Sequence, residues 1–304
     1  MEIFTVDNNF KAKEEVYIAL GNFDGVHIAH RVLLEKLVKE ARANNFKSSI
    51  LIFKNHTKNI VFKQEQKLLS SNEQKYRFLE EIGIDIIYEK EFNNEIMTMD
   101  PIIFIEDFLL KNLKVKGVVI GFDYKFGYKA RGNIELLKKL SLKNQFDLFV
   151  IDPVIEDGMV VSSTLIRSLI KKGDIILANK LLGYNFTIRG TVINGKKLGK
   201  KMGYPTANIK PDINYEIPKF GVYDSTVEVD GKIYRAATNI GKNPTIENSG
   251  LRIEAHLLDF HKEIYGKPIK LSLLEFIREE MSFDNIDDLF SQIKADVDYI
   301  KSKL

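Results

Sequence analysis

The sequence predicts an α/β unit built on a parallel sheet, followed by a smaller antiparallel β unit that ends in a helix. Three observations carry this expectation. Up to about Gly183, short β-branched or aliphatic runs alternate with longer stretches of helical period. Beyond Gly183, strand-like runs follow one another without helices between them, divided by Gly, Pro, Asn and Asp. The length, 304 residues, is about twice the ~150 residues commonest for one domain. A boundary is therefore expected between residues 183 and 184, giving domains of 1–183 and 184–304.

The elements follow in order. Val16 to Leu20 reads as a strand, and Arg31 to Ala43 as a helix with Leu33, Leu34, Leu37, Val38 and Ala41 on one face. Ser48 to Phe53 is the next strand, Glu73 to Ile82 a helix and Ile84 to Tyr88 a strand. Ile102 to Leu113 predicts a helix, Gly117 to Gly121 a strand, Ile134 to Leu142 a helix and Leu148 to Ile151 a strand. Such alternation needs crossover connections, hence a parallel sheet with helices on its faces. In the second half, Phe186 to Ile193, Gly221 to Val229, Lys232 to Ile240, Leu251 to Leu258 and Ile269 to Phe276 read as strands of a small barrel or sandwich. Val229-Asp230-Gly231-Lys232 carries the Asp-Gly signature of a tight hairpin. Ile286 to Lys301 closes the chain as a helix with Leu289, Ile293, Val297 and Ile300 in one stripe.

Composition excludes several classes. Hydrophobic residues make up 44% and charged residues 29%, the balance of a globular protein rather than a disordered or membrane-spanning chain. The opening Met1 to Asp7 has neither a basic leader nor a long apolar run, so no targeting segment and a cytoplasmic location are expected. With no cysteine there is no disulfide, thiolate metal site or cysteine nucleophile. A net charge of +3 is far from that of a dedicated nucleic-acid binder, and no nucleic-acid or membrane partner is expected.

The first strand runs into Gly21-Asn22-Phe23-Asp24-Gly25-Val26-His27-Ile28-Ala29-His30, and a helix follows. A turn between a parallel strand and a helix presents free backbone N–H groups to an anion. Its glycine spacing fits neither the dinucleotide fingerprint nor the P-loop. His27 and His30 fall in the first helical turn and point the same way, suited to hydrogen-bonding phosphoryl oxygens. No third ligand or zincin Glu accompanies them, which disfavours zinc. Ser162-Ser163-Thr164-Leu165-Ile166-Arg167 reads by itself as a capped helix start with an Arg one turn in.

In the second half, Gly195-Lys196-Lys197-Leu198-Gly199-Lys200-Lys201-Met202-Gly203 is a basic glycine loop, and Tyr204-Pro205-Thr206-Ala207-Asn208 follows it. Thr206 and Asn208 lie two apart in an extended segment and face one side, a hydroxyl and an amide oxygen of the kind that suits Mg²⁺. Asn239 to Thr245 and Arg252-Ile253-Glu254-Ala255-His256-Leu257-Leu258-Asp259-Phe260 come next, with Tyr265-Gly266 and Ile277-Arg278-Glu279-Glu280 after them.

The His-x-x-His turn resembles that of the nucleotidyltransferase superfamily. More narrowly, these segments together are similar in order and spacing to the bacterial bifunctional riboflavin kinase/FMN adenylyltransferase (FAD synthetase) family, over roughly Val16 to Asp296. The resemblance implies a Rossmann-like nucleotidyltransferase domain followed by a small antiparallel β-barrel riboflavin kinase domain with a C-terminal helix. It implies two ATP-dependent steps, riboflavin to FMN and FMN to FAD with release of pyrophosphate, with Mg²⁺ as cofactor. No oligomer is required.

For adenylyl transfer the resemblance places Gly21, Phe23, Asp24, His27, His30, Ser163, Thr164 and Arg167 at ATP, with His27, His30 and Arg167 catalytic. It places Asn22, Asp123 and Phe126 at the flavin, the last two within Gly121-Phe122-Asp123-Tyr124-Lys125-Phe126-Gly127. For the kinase it places Gly195, Lys197, Gly199, Lys200 and Gly203 at ATP, Thr206 and Asn208 at the metal, Glu254 as general base, and Asp259, Gly266 and Arg278 at the flavin. Three departures stand out: Ala29 where the family has Gly, Phe53-Lys54-Asn55-His56-Thr57 where it has a Pro-His-Pro turn, and Lys200 where it has Arg. Two other readings fit the same residues. One is a kinase whose first half no longer makes FAD; the other is a flavin-responsive binding protein without activity.

Overall fold

The computed structural model describes residues 1–7, 9–54, 67–195, 203–242 and 251–303. They form two compact units, residues 1–66 with 72–162 and residues 67–71 with 163–304.

In the first unit β1 (Glu2–Thr5), β2 (Val16–Leu20), β3 (Lys47–Phe53), β4 (Ile86–Lys90), β5 (Val115–Gly121) and β6 (Asp147–Ile151) form one sheet. Its order is β1-β4-β3-β2-β5-β6. The pairings are all parallel. Every residue of β2 is buried, as a near-continuous apolar run in a central strand requires. From β2 the chain moves outward through β3 and β4 on one side, then returns to place β5 on the other. The direction of winding therefore reverses at β2, and the crevice at its carboxyl end is where such sheets accept ligands.

Helix α1 (Ile28–Ala43) buries the stripe Leu33, Leu34, Leu37, Val38 and Ala41 expected from its period. The segment expected as one helix from Ile102 to Leu113 is a short α-helical turn, Pro101–Ile103, running into a π-helix, Phe104–Asn112. Its wider turn keeps Phe104, Ile105, Phe108 and Leu109 in the core with Ile18, Leu20, Val118 and Ile120. The short strand β1 escaped the sequence reading, because only Phe4 of its residues is even half-buried and little apolar alternation marks it.

A short antiparallel pair, β7 (Ile155–Glu156) and β8 (Met159–Val160), follows the sheet. The second unit begins with the helices Ser163–Lys172 and Ile175–Leu182. Six strands then close into an antiparallel barrel: β9 (Thr187–Ile193), β10 (Ala207–Pro211), β11 (Gly221–Val229), β12 (Lys232–Lys242), β13 (Leu251–Leu257) and β14 (Pro268–Arg278). The change of sequence pattern at Gly183 falls after these two helices, which group with the barrel. Asn179 joins them to it, accepting from the Phe186 N–H at 2.7 Å and donating to the Leu273 carbonyl at 2.9 Å. The β11–β12 turn has positive φ at both Asp230 (52°) and Gly231 (73°), as the Asp-Gly signature predicts. Strict alternation puts Ile253, Ala255 and Leu257 of β13 in the barrel core and leaves the residues between them on its outer face.

The C-terminal helix Ile286–Lys301 packs Val297 and Ile300 against Leu258. Arg278 at the end of β14 ties the helix down through Asp296, with Nε–Oδ1 at 2.9 Å and Nη2–Oδ2 at 2.7 Å. Among the described residues, no helix is long and apolar enough to cross a membrane.

Candidate active sites

In the first unit the site begins where β2 ends. The turn from Gly21 to His27 holds two non-glycine residues in the left-handed region, Phe23 (φ 47°) and Val26 (φ 37°), on either side of Gly25 (φ 84°). Left-handed backbone at a β-branched residue is a genuine outlier, and such residues cost about 1–3 kcal/mol each and persist only where the surroundings over-determine them. Gly21 supplies part of that constraint: a Cβ there would lie 3.0 Å from the Phe23 ring. The buried Phe23 ring in turn lies 5.1 Å from the ring of His30.

His27 caps α1, its Nδ1 accepting from the His30 backbone N–H at 3.3 Å. An accepting Nδ1 carries no proton, so Nε2 of a neutral His27 is the donor. The imidazoles of His27 and His30 stack at 3.6 Å with their planes 16° apart. Burial, reinforced by the charges of His27 and Lys75, holds His30 well below the ordinary histidine range. A stacked imidazole pair at a helix N-terminus, with His30 held neutral, presents hydrogen-bond donors beside the positive end of a helix dipole. The residue Ala29, where the family has Gly, sits half-buried in the first turn of α1.

The sequence reading missed Lys75. It lies on the helix Asn72–Ile82 and is 7% exposed, with Nζ 3.4 Å from the Asn22 carbonyl. A signal was present, since Lys75 shares its helical face with Phe78 and Leu79, both buried.

The other expected flavin residues of this half follow β5, which pairs with β2. Asp123 is exposed there, whereas Phe126 is a core residue, 5.8 Å from Phe104 and 5.7 Å from Tyr124.

Ser163, Thr164 and Arg167 belong to the second unit, on the helix Ser163–Lys172. Arg167 is 9% exposed, donating to the carbonyls of Lys67 (3.3 Å) and Ser163 (3.2 Å) and lying 3.7 Å from Glu216, itself 2% exposed.

The barrel carries the second cluster. Glu254 on β13 stands opposite Asn208 of β10 on one side and Asn239 of β12 on the other. All three are half-buried on the outer face, while Ala207, Ile253 and Ala255 beside them point inward. Thr206 is also half-buried, two residues from Asn208, so both oxygens project from the side that carries Glu254. Gly195 packs against Asn208: a Cβ there would collide with the Asn208 amide. Further along, Arg252 Nη2 meets Glu280 Oε1 at 2.9 Å, and Glu280 lies against Gly241. Lys197, Gly199 and Lys200, together with His56, lie outside the described residues.

A cavity of about 260 Å³ opens beside this cluster, lined by Gly203, Tyr204, Pro205, His256, Leu258 and Asp259 and closed by Val297 and Lys301 of the C-terminal helix. His256 Nδ1 lies 2.9 Å from the Pro205 carbonyl. A carbonyl only accepts, so Nδ1 carries the proton. Burial pushes His256 below the usual histidine range, which leaves its other nitrogen an acceptor. Gly203 and Asp259, expected at ATP and at flavin, thus share one cavity. Gly266 (φ 74°) lies in the turn before β14, and Arg278 spends its guanidinium on Asp296 and the Glu279 carbonyl.

Comparison with known proteins finds two families along the chain. The family described as FAD synthetase matches residues 9–165, and the family described as riboflavin kinase matches residues 182–304. A bifunctional riboflavin kinase/FMN adenylyltransferase of Listeria monocytogenes is 35% identical over 282 residues, covering 92% of this chain and 89% of that protein. The protein of that name from Escherichia coli strain K12 is 34% identical over 288 residues, covering 93% and 91%. The crystal structure of a Streptococcus pneumoniae protein, described as a macrolide-efflux protein, superposes with a TM-score of 0.89 at 29% identity, covering 98% of both chains. Two consecutive family matches and full-length relatives at this identity leave one conclusion: the chain belongs to the bifunctional riboflavin kinase/FMN adenylyltransferase family.

Proposed function

We propose that the chain phosphorylates riboflavin to FMN on the barrel and adenylylates FMN to FAD on the α/β unit, in the cytoplasm, with ATP as the second substrate of each step. The observation that carries this reading is the row Asn208, Glu254 and Asn239 across three adjacent barrel strands. A carboxylate flanked by neutral amides is a proton acceptor whose neighbours do not compete for the proton.

In the kinase step Glu254 takes the proton of the ribityl 5′-hydroxyl as that oxygen bonds to the γ-phosphorus and the bond to the ADP oxygen breaks. Thr206 and Asn208 suit Mg²⁺ by their chemistry: two neutral oxygens leave positions for phosphate oxygens and water. When bound there, the ion would neutralise charge on the ATP phosphates. The cavity beside Pro205 accepts the base of this nucleotide, with Leu258 and Val297 as apolar walls and His256 as a polar contact.

In the adenylyl step an FMN phosphate oxygen bonds to the α-phosphorus of ATP and pyrophosphate leaves. His27 and His30 donate to the phosphoryl oxygens as charge develops, and Asn22 and Asp123 line the approach to the turn. The roles of Ser163, Thr164 and Arg167 toward ATP, and of Lys197, Gly199 and Lys200 in the kinase, rest on their match to the family's motifs. Phe126, a core residue, supports this segment from behind.

Ala29 favours a second reading, in which only the kinase acts. Incubating the protein with riboflavin and Mg·ATP, and separately with FMN and Mg·ATP, distinguishes the two by product. FMN from the first and FAD with pyrophosphate from the second supports the proposal; FMN without FAD leaves the kinase alone. Flavin binding without any turnover rejects both in favour of a non-catalytic flavin-responsive protein.

A further inference from the structure

The left-handed backbone at Phe23 and Val26 persists only where its surroundings hold it, and within the turn the Val26 N–H reaches the Phe23 carbonyl at 3.4 Å. A side chain from another element reaches into it. Lys75 comes from the helix Asn72–Ile82, whose buried face also carries Phe78, and Arg31 of α1 lies over the Phe78 ring at 5.2 Å. A lysine at 7% exposure is unusual, since burying an ammonium is costly unless charge and hydrogen bonds offset it. Here the offset comes from the turn. Nζ lies 3.4 Å from the Asn22 carbonyl, and the carboxylate of Asp24, itself 3% exposed, opposes its charge.

We propose that Lys75 is the positioning residue of the histidine turn: it holds the Asn22 carbonyl and faces Asp24, and so fixes the backbone that presents His27 and His30 to the nucleotide. This rests on the adenylyltransferase reading of the first unit. Lys75 acts through the turn and takes no proton in the reaction. Its charge also helps to keep His30 neutral, together with burial and His27.

The full chain is compared with Lys75→Met, Lys75→Gln and Lys75→Arg in three measurements: FAD formed from FMN and Mg·ATP, FMN formed from riboflavin by the same preparation, and the ¹⁵N imidazole signals of His27 and His30. Met should lower FAD turnover by about 10²-fold, the scale of a site displaced by an ångström, with FMN formation within about twofold of wild type. It should also move both imidazole signals. Arg, which keeps the charge and a donor, should recover about tenfold over Met, a rescue that mere filling of space does not produce. Gln keeps a donor for the Asn22 carbonyl, so it serves if Met fails to fold, and should lose about tenfold.

A folded Met or Gln variant with near-normal FAD turnover and unmoved imidazole signals overturns the proposal. If the wild-type chain makes no FAD, the adenylyltransferase reading fails separately. The imidazole signals then decide the role of Lys75, and signals that stay in place overturn it.

Discussion

Asn208 and Glu254 stand directly opposite each other across the β10–β13 pair, on the outer face of the barrel. An antiparallel register is an all-or-none arrangement: a slip of one residue would turn Glu254 into the core and bring Ala255 out. The pairing thus ties the expected base to the expected metal ligand by backbone geometry rather than by side-chain flexibility. Asn239 on the far side of Glu254 completes the row.

Replacing Glu254 by Gln keeps the shape of the row and removes the proton acceptor. Riboflavin binding should survive while kinase turnover falls by about 10²-fold or more, the scale of a lost general base. Equilibrium flavin binding and initial rates check this. Near-normal turnover removes the assignment.

Gly195→Ala should act on the same row from the other side. The new methyl collides with the Asn208 amide and displaces it. Kinase turnover should drop by about tenfold or more, as expected for a misplaced positioning group, with the FAD-forming step unchanged. Equal loss of both activities would point to a folding defect instead.

Burial, with His27 and Lys75, depresses the folded-state pKa of His30. The unfolded ring binds a proton below about pH 6.5, while the folded ring stays neutral. Stability of the first unit should therefore be fully present above that value. It should fall as the pH drops from there toward the folded pKa, by at most about 1.4 kcal/mol per pH unit for one ring. Denaturant titrations of wild type and His30→Asn across that range test the sign, and the variant should show a flatter profile. His256 is shifted the same way by burial and contributes equally to both curves.

Asp296→Ala should release the C-terminal helix. It leaves the Arg278 guanidinium, whose side chain is 20% exposed, without its carboxylate. Removing one partner of such a pair costs about 3 kcal/mol. Unfolding of the second unit should shift accordingly, and a change below about 0.5 kcal/mol, the range of ordinary surface substitutions, would show that the pair does not anchor the helix.

The sequence was legible where periodicity is strong. The strands Val16–Leu20 and Gly221–Val229 and the helix Ile286–Lys301 appear at the expected bounds. It was less legible where a single element is short or mixed. The five-residue strand β10 follows a Pro and a Thr that read only as an extended turn, although its pairing with β13 defines the kinase row. Lys75 was marked only by the helical face it shares with Phe78 and Leu79, and Glu216 and Asp296 were invisible as anchor residues, for one physical reason. A charged residue on a helix or loop is ordinarily solvated, and only the tertiary fold reveals the buried partner that keeps it inside. The motif residues also divide unevenly. Phe126 is absorbed into the core and Arg278 into an ion pair, whereas Glu254 and Asn208 remain on an open face.

Two ATP-dependent chemistries reside on one chain, one on each unit. The most direct measurement is a product-resolved assay of the full chain with riboflavin and Mg·ATP, followed in time. FMN should appear first, then FAD with one pyrophosphate per FAD, and Glu254→Gln should lose the first step alone, still forming FAD when FMN is supplied. Accumulation of FMN with no FAD or pyrophosphate would contradict it.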